Sequence, residues 1–322
     1  MGQLPLDRTA PQRPFLVTGV DYAGPIMLRT SPGRGHKSYK GYISLFVCLT
    51  TRAIHLEVVS DLTSASFLVA IQRFVGRRGR CASMYSGNAT VFHGAERELT
   101  RMFTSASVFY KETAAVLAKD GTTWHFIPPY APHFGGLWEV GVKSVKHHLR
   151  RVIGNSTLTF EKMSTLLCQI EACLYSRPLY ALSEDPSDLS ALTPGHFLIG
   201  ESTSNSPEPN PPLTTSSSLT RWRQINTMPS QFWNRWRSEY LQHLQQLSKW
   251  RHQKENLKVG ALVLLRDNLQ PPAKWLMGRV TALHPGPDGR VRVVALKTAS
   301  GTTTRPIVLP SAGGPDRRPL TT

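Results

Sequence analysis

The sequence of 322 residues contains no apolar run of the length that a membrane helix needs, about 18–20 residues. Its first fifteen residues also lack the apolar centre of a signal peptide. Acidic residues are scarce, since 21 Asp and Glu stand against 38 Lys and Arg, and the formal net charge is +17. These absences argue against a membrane partner. The excess of basic residues favours a polyanionic partner, above all nucleic acid, with an unspecific basic surface as the alternative.

Cysteine is also scarce, with four residues and no CxxC pair or Cys/His spacing typical of zinc sites. Three of the four lie in apolar patterns. We therefore predict reduced core thiols in a reducing, intracellular compartment. For a basic chain, the nucleus fits best.

Hydrophobic periodicity predicts an α/β domain followed by a small all-β module. The predicted order of the first domain is three antiparallel strands, a helix, a strand, a helix, a strand and two helices. This order is compatible with a ribonuclease-H-like mixed sheet. A helix is predicted after Pro229, with an aromatic stripe that packs or, as the alternative, binds a ligand. The predicted segments are a tail (1–11), the core (12–200), a Ser/Thr/Pro-rich linker (201–220), a helical connector (221–255), an SH3-like β-barrel (256–312) and a tail (313–322).

Three segments of the core could form one metal site. Asp21 follows an apolar strand, the turn "YSGNAT" places Gly87 after another strand, and Glu139 is predicted to open a helix. Carboxylates that converge from separate elements can hold paired Mg²⁺ or Mn²⁺ ions for phosphodiester chemistry. The alternatives are a turn residue for Asp21 and a helix-dipole preference for Glu139.

The helix of Glu139 carries three cations on the same predicted face. Lys143, Lys146 and Arg150 follow Glu139 by four, seven and eleven residues. Such a face can meet a DNA backbone that crosses the site. The alternative is an ordinary solvated face in which Glu139 and Lys143 form a surface ion pair.

Long stretches of the chain resemble the integrase of BEL/Pao-type long-terminal-repeat retrotransposons, a branch of the retroviral integrase family. The similarity covers roughly Pro11 to Pro310. It also includes the regions "RWRQINTMPSQFWNRWRSEYLQHLQQLSKWR" and "LVLLRDNLQPPAKWLMGRVTALHPGPDGRVRVV". The core motifs that carry it are "TGVDYAGPI", "YSGNATVF", "IPPYAPHFGGLWEVGVKSVKHHLRRVIG" and "SRPLYALSEDPSDLSALTPGHFLIG".

The resemblance implies a ribonuclease-H-like core in which two Asp and one Glu bind two Mg²⁺ ions. It implies the family reaction, DNA 3′-end processing followed by strand transfer, and a homo-oligomer assembled on DNA. Asp21 matches the first Asp and Glu139 the final Glu, both metal ligands. Lys143 and Lys146 match the basic face that grips the DNA end of the element, and the small barrel is expected to bind DNA.

The chain departs from the family at two points. Gly87 stands where the family has its second catalytic Asp, so we expect strand transfer to be impaired. No His/Cys zinc module precedes the core, which suggests a polyprotein fragment or an eroded copy with impaired multimer assembly. Two further hypotheses follow: a catalytically inactive DNA-binding or chromatin-associated remnant, and, more weakly, a nuclease of the same fold.

Overall fold

The chain divides into two compact units, Met1–Glu171 and Ala172–Thr322. The computed structural model describes residues 10–31, 35, 37–86, 112–113, 115–116, 118, 121–126, 132–203, 217–244, 256–267 and 270–307. Within these, the side chains of 126, 132–142, 217–226 and 243 are not described. The domain boundaries proposed from the sequence stay predictions.

The first unit is built on a mixed sheet. Its strands are β1 (Val17–Arg29), β2 (Ser38–Cys48), β3 (Ile54–Val59), β4 (Ser83–Ser86), β5 (Thr123–Phe126) and β6 (Leu158–Thr159). The order across the sheet is β3-β2-β1-β4-β5, and β6 pairs with the far end of β1. The first three strands are antiparallel, whereas β4 and β5 run parallel to β1. The predicted α/β class, with a mixed sheet that begins with three antiparallel strands, is therefore confirmed.

Strand register separates the two faces of this sheet. Tyr22, Ser44 and Glu57 are aligned across β1, β2 and β3. Their neighbours Asp21 and Leu45 are likewise aligned. Because side chains alternate along a strand, Asp21 lies on the face opposite to that of Tyr22 and Glu57.

The first helix, α1 (Ser64–Arg78), covers the face of Tyr22. Its cap residues explain its bounds, since the Thr63 hydroxyl accepts a hydrogen bond from the Ser66 N–H at 3.2 Å. At the other end, Gly79 has φ 78° and donates its N–H to the Val75 carbonyl. Both the predicted helix and its stop at glycine are confirmed. The core beneath it is aromatic, with the Phe46 ring 4.4 Å from the Phe74 ring and stacked on it.

Two longer helices follow, α2 (Pro132–Ile153) and α3 (Phe160–Tyr175). The predicted apolar face of α3 is buried throughout: Met163, Leu166, Leu167, Ile170 and Leu174. Thr159 caps it as expected, since its hydroxyl accepts from the Lys162 N–H at 3.4 Å. The helix predicted for 107–121 lies mostly outside the described residues, although Glu112, Thr113 and three residues after them are helical.

The second unit combines short helices and strands with an antiparallel sheet. Its elements are β7 (Tyr180–Ala181), β8 (Ala191–Leu192), α4 (Pro194–Ile199), α5 (Ser217–Leu244), β9 (Leu262–Leu265), β10 (Leu276–Pro285), β11 (Val291–Thr298) and β12 (Gly301–Pro306). Strands β9 to β12 form a four-stranded sheet in the order β12-β11-β10-β9. Between the described strands, no pairing closes this sheet, so the predicted SH3-like barrel stays a prediction.

The helix α5 differs from the sequence prediction in its start. It begins at Ser217, not after Pro229, and Pro229 lies in its interior. A proline inside a helix removes one backbone hydrogen bond, which packing elsewhere must offset. That packing is visible in Phe232 and Trp233, both fully buried, and in Trp236, which is 6% exposed. The aromatic stripe is thus a packing face, as the first of the two readings predicted.

Three arginines of the second unit are buried, Arg177, Arg237 and Arg279, which the sequence did not indicate. Arg237 is 6% exposed, and its guanidinium lies over the Trp233 ring, 5.5 Å from the ring centroid. Arg279 donates to the backbone carbonyls of Asp188 and Gly260, each at 2.9 Å, and to that of Ser183. A planar guanidinium can satisfy three carbonyls at once, so Arg279 fastens the 183–188 loop to the sheet.

All four cysteines are free, and Cys48, Cys81 and Cys173 are buried. The predicted core thiols are confirmed for these three, while Cys168 is exposed. Burial raises the pKa of Cys173 to about 12, so this thiol stays protonated and acts as a small apolar side chain.

Candidate functional site

Asp21 lies on the central strand of the mixed sheet. It follows four buried residues of β1, and its side chain is 39% exposed. Its Oδ1 accepts a hydrogen bond from the Tyr22 N–H at 2.7 Å. The strand thus displays a partly exposed carboxylate directly after a buried stretch of β1.

The end of β4 lies next to Asp21 in the sheet. Ser86, the last residue of β4, is in parallel register with Val20. Its hydroxyl accepts from the Trp124 indole N–H of β5 at 3.0 Å. Gly87 follows Ser86 in the sequence but lies outside the described residues. The described part of β4 therefore ends at the level of Val20, one residue before that of Asp21.

Helix α2 brings a cation to Asp21. Lys146 Nζ lies 2.6 Å from Asp21 Oδ2, and the two side chains are 33% and 39% exposed. Helical spacing places Lys143 and Arg150 on the same face as Lys146, and both are exposed. Neither makes an ion pair with any side chain that the structure describes. The three predicted DNA-binding cations thus share a face, but one of them is engaged by Asp21.

Glu139 also belongs to α2, but it does not open the helix. The helix begins at Pro132, a residue whose fixed φ suits the first helical position. Glu139 is therefore the eighth helical residue, and the prediction that it opens the helix, with its helix-dipole explanation, is wrong. Its backbone lies two turns, about 10 Å, before Lys146 on the same face. Its side chain, and with it the suggested pair with Lys143, is outside the described part of the structure.

The side chains that the structure describes around Asp21 do not by themselves form a two-metal site. No group of three or more His, Cys, Asp or Glu suited to a metal occurs among the residues that the structure describes. Of the two predicted carboxylate ligands, Asp21 is already paired with Lys146, and the side chain of Glu139 is not described. The third position, Gly87, has no side-chain oxygen. Two dications held close together need several carboxylates, which Asp21 and Glu139 alone do not supply.

A second cluster of ionisable residues, which sequence reasoning missed, lies on the opposite face of the sheet. His55 is fully buried between two carboxylates: Nε2 is 3.0 Å from Glu57 Oε1, and Nδ1 is 3.3 Å from Glu171 Oε1. Glu171 Oε1 also accepts from the Leu56 N–H at 2.5 Å. Three arginines of α1 surround the carboxylates: Arg73, Arg77 and Arg78. We call these six ionisable side chains the buried charge cluster.

The cluster shifts the pKa values of His55 and Glu57 in the directions that favour their charged forms. Burial lowers the pKa of His55, but hydrogen bonds to Glu171 and Glu57 more than reverse this, and the pKa is raised above 6.5. Burial raises the pKa of Glu57, whereas hydrogen bonds from His55 and Arg73 lower it to below 4.5. The sequence signal was available, because His55 and Glu57 are two ionisable residues on the same face of an apolar strand.

Other acids of the first unit include Glu57, Asp61, Glu96 and Asp120, and the two that the structure describes are engaged by other groups. Glu57 belongs to the buried charge cluster. Asp61 accepts hydrogen bonds from the Thr63 hydroxyl and N–H, which lower the pKa of Asp61. Glu96 and Asp120 lie outside the described residues. The described chain therefore offers no replacement for a carboxylate at position 87.

Comparisons with known proteins give one partial family match and structural likenesses. A model described as a family of unknown function (DUF5641) matches residues 220–309, less than half of the chain. No curated protein matches the chain. Among the described residues, no helix is both long and apolar enough to cross a membrane.

Solved structures similar to this chain include two that concern integration. One is the simian T-cell lymphotropic virus intasome in complex with PP2A regulatory subunit B56 gamma, with 12% identity, 98% of this chain and 85% of that chain covered, and a TM-score of 0.35. The other is the catalytic core domain of BIV integrase, with 15% identity, 58% of this chain and 95% of that chain covered, and a TM-score of 0.34. At these TM-scores the likeness carries no weight for function, which we infer from the chain's own residues.

Proposed function

We propose that this chain is an integrase of retroelement origin with a ribonuclease-H-like core, of the BEL/Pao branch, which binds DNA with an impaired catalytic site. One observation carries the proposal: parts of three of the motifs that resemble that family lie close together around Asp21. Asp21 lies on β1, the "YSGNAT" motif begins at the end of β4 beside it, and the face of α2 that carries Lys146 contacts Asp21. The proximity of these separate segments of sequence supports the proposal.

DNA is the proposed partner of the α2 face. Lys143 and Arg150 are exposed and can bind phosphates, in keeping with the net charge of +17. In this proposal the protein acts in the nucleus as a homo-oligomer on DNA, and its second unit adds DNA contacts. Binding should weaken steeply with salt, because each phosphate contact releases counterions.

Catalysis is proposed to be impaired at position 87. The family reaction uses Mg²⁺ or Mn²⁺ to stabilise the charge that develops on the transferred phosphoryl group. Asp21 and Glu139 would be the remaining ligands here, and Lys146 occupies the carboxylate of Asp21. The loss of one carboxylate from an array of three should cost several kcal/mol in the barrier, and each ~1.4 kcal/mol is tenfold in rate.

A Mn²⁺-dependent strand-transfer assay tests the proposal. The natural protein is compared with Gly87→Asp, and Gly87→Asp combined with Asp21→Asn serves as the matched control. We expect joined DNA only from Gly87→Asp, because that variant alone has all three carboxylates. If both proteins join DNA, and the natural protein does so as fast as Gly87→Asp, the site is not impaired.

The second candidate function is DNA binding without catalysis, as a remnant of a retroelement. Gly87 and the Asp21–Lys146 ion pair favour it, since both leave the site without the charge that metals need. This function is supported if the natural protein binds DNA in a salt-sensitive manner and neither it nor Gly87→Asp shows strand transfer. If the protein fails to bind DNA at all, both candidates are excluded.

A further inference from the structure

We propose that Asp21 masks Lys146 from nucleic-acid phosphates. The α2 face then binds DNA through Lys143 and Arg150, and Lys146 contacts no phosphate while it is paired with Asp21. The inference rests on the proposed DNA-binding function and adds a regulatory contact within it. Lys146 Nζ is 2.6 Å from Asp21 Oδ2, the length of a strong charge-assisted hydrogen bond.

The masking follows from the charges. The ammonium group of Lys146 has three donors, so a second acceptor is geometrically feasible. A phosphate on the same ammonium group would, however, lie within a few ångströms of the Asp21 carboxylate. At that distance, the repulsion between the two anions offsets the attraction to the lysine. The pair thus presents almost no net charge to DNA.

The partial exposure of both side chains allows this ion pair to open and close. Both side chains are about one-third exposed, so either can exchange its partner for solvent or for an ion. Asp21 is fixed by its strand and by the hydrogen bond from the Tyr22 N–H, whereas Lys146 has a flexible stem. A substitution that removes the charge of Asp21 therefore frees Lys146 to bind phosphate alongside Lys143 and Arg150.

The salt dependence of DNA binding tests this proposal. Binding of the full chain to fluorescein-labelled duplex DNA is measured without metal, in a chelator, from about 50 to 200 mM KCl. The variants are Asp21→Asn, Lys146→Gln and the two combined. Glu161→Gln is the matched control, because it also removes one negative charge, is exposed and makes no ion pair with the described residues.

The expected result is a gain of one phosphate contact in Asp21→Asn. The slope of log K against log salt should steepen by about 0.9, and the affinity should rise about two- to fivefold. Adding Lys146→Gln should abolish this gain, and this double variant should keep the slope of the natural protein, because it removes the ion pair without changing the net charge. Lys146→Gln alone should weaken binding, because it leaves the Asp21 carboxylate unpaired near the phosphates. Glu161→Gln should leave the slope unchanged.

Two results would overturn the inference. If the double variant of Asp21→Asn and Lys146→Gln has a slope lower by about 0.9 than that of the natural protein, Lys146 already contacts phosphate and is not masked. If Asp21→Asn and Glu161→Gln behave alike, the effect of Asp21 is one of net charge only. Absence of DNA binding in every variant would instead refute the proposed function, and the inference with it.

Discussion

Glu171 is the residue through which the buried charge cluster should stabilise the first unit. Its carboxylate accepts from the Leu56 N–H at 2.5 Å, lies 3.3 Å from His55 Nδ1 and lies 3.1 Å from Arg78 Nη2. In Glu171→Gln the amide oxygen can keep the Leu56 bond, but the amide nitrogen then faces the donors of Arg78. Removing one charge from a buried pair costs about 3–5 kcal/mol. We expect about 3 kcal/mol, since Arg78 is 17% exposed.

Hydrogen exchange of the β3 amides measures this cost in the unit concerned. A loss of about 3 kcal/mol in the free energy of opening corresponds to exchange roughly 100-fold faster. Glu161→Gln, an exposed change on the same helix, should stay within about 0.5 kcal/mol of the natural protein. Adding Arg78→Met to Glu171→Gln should recover part of the loss, because it removes the opposing charge. If β3 exchanges at the same rate in Glu171→Gln and Glu161→Gln, the cluster does not stabilise the fold.

Three further predictions concern pH, glycine and a buried arginine. Because the pKa of His55 is raised above 6.5, the stability gained from its protonated ring is full below that pH and is lost as the pH rises through the folded-state value. Urea unfolding should show this loss in the natural protein and not in His55→Gln. Gly41→Ala should destabilise by about 1–3 kcal/mol, since its Cβ would lie 2.5 Å from a buried leucine methyl. Gly76→Ala, in open space on a helix, should stabilise by about 0.5–1 kcal/mol in the same assay. Arg279→Lys should speed hydrogen exchange of the 183–188 loop by at least tenfold, because lysine lacks the planar fork, while the exposed Arg290→Lys should not.

The local pattern of the chain predicted most of the elements. Strands β1 to β5, α1 and α3 follow from runs of period 2 and 3.6, and glycine or threonine at their ends explains several of their bounds. Two helix starts were missed because proline was treated as a boundary. Pro132 begins α2, and Pro229 lies inside α5, where burial of the following aromatic residues offsets the lost hydrogen bond.

The sequence by itself determined the charge balance, the order of strands and helices, and the identity of Gly87, because each is local or compositional. Only the tertiary structure decided which charges meet. Lys146 reaches Asp21 across 125 positions, and Glu171 reaches the Leu56 N–H across 115. Neither contact has a local signature, because each depends on which helix packs against which face of the sheet. That packing is selected by the burial of apolar surface, and it places the ionisable groups in pairs that periodicity cannot specify.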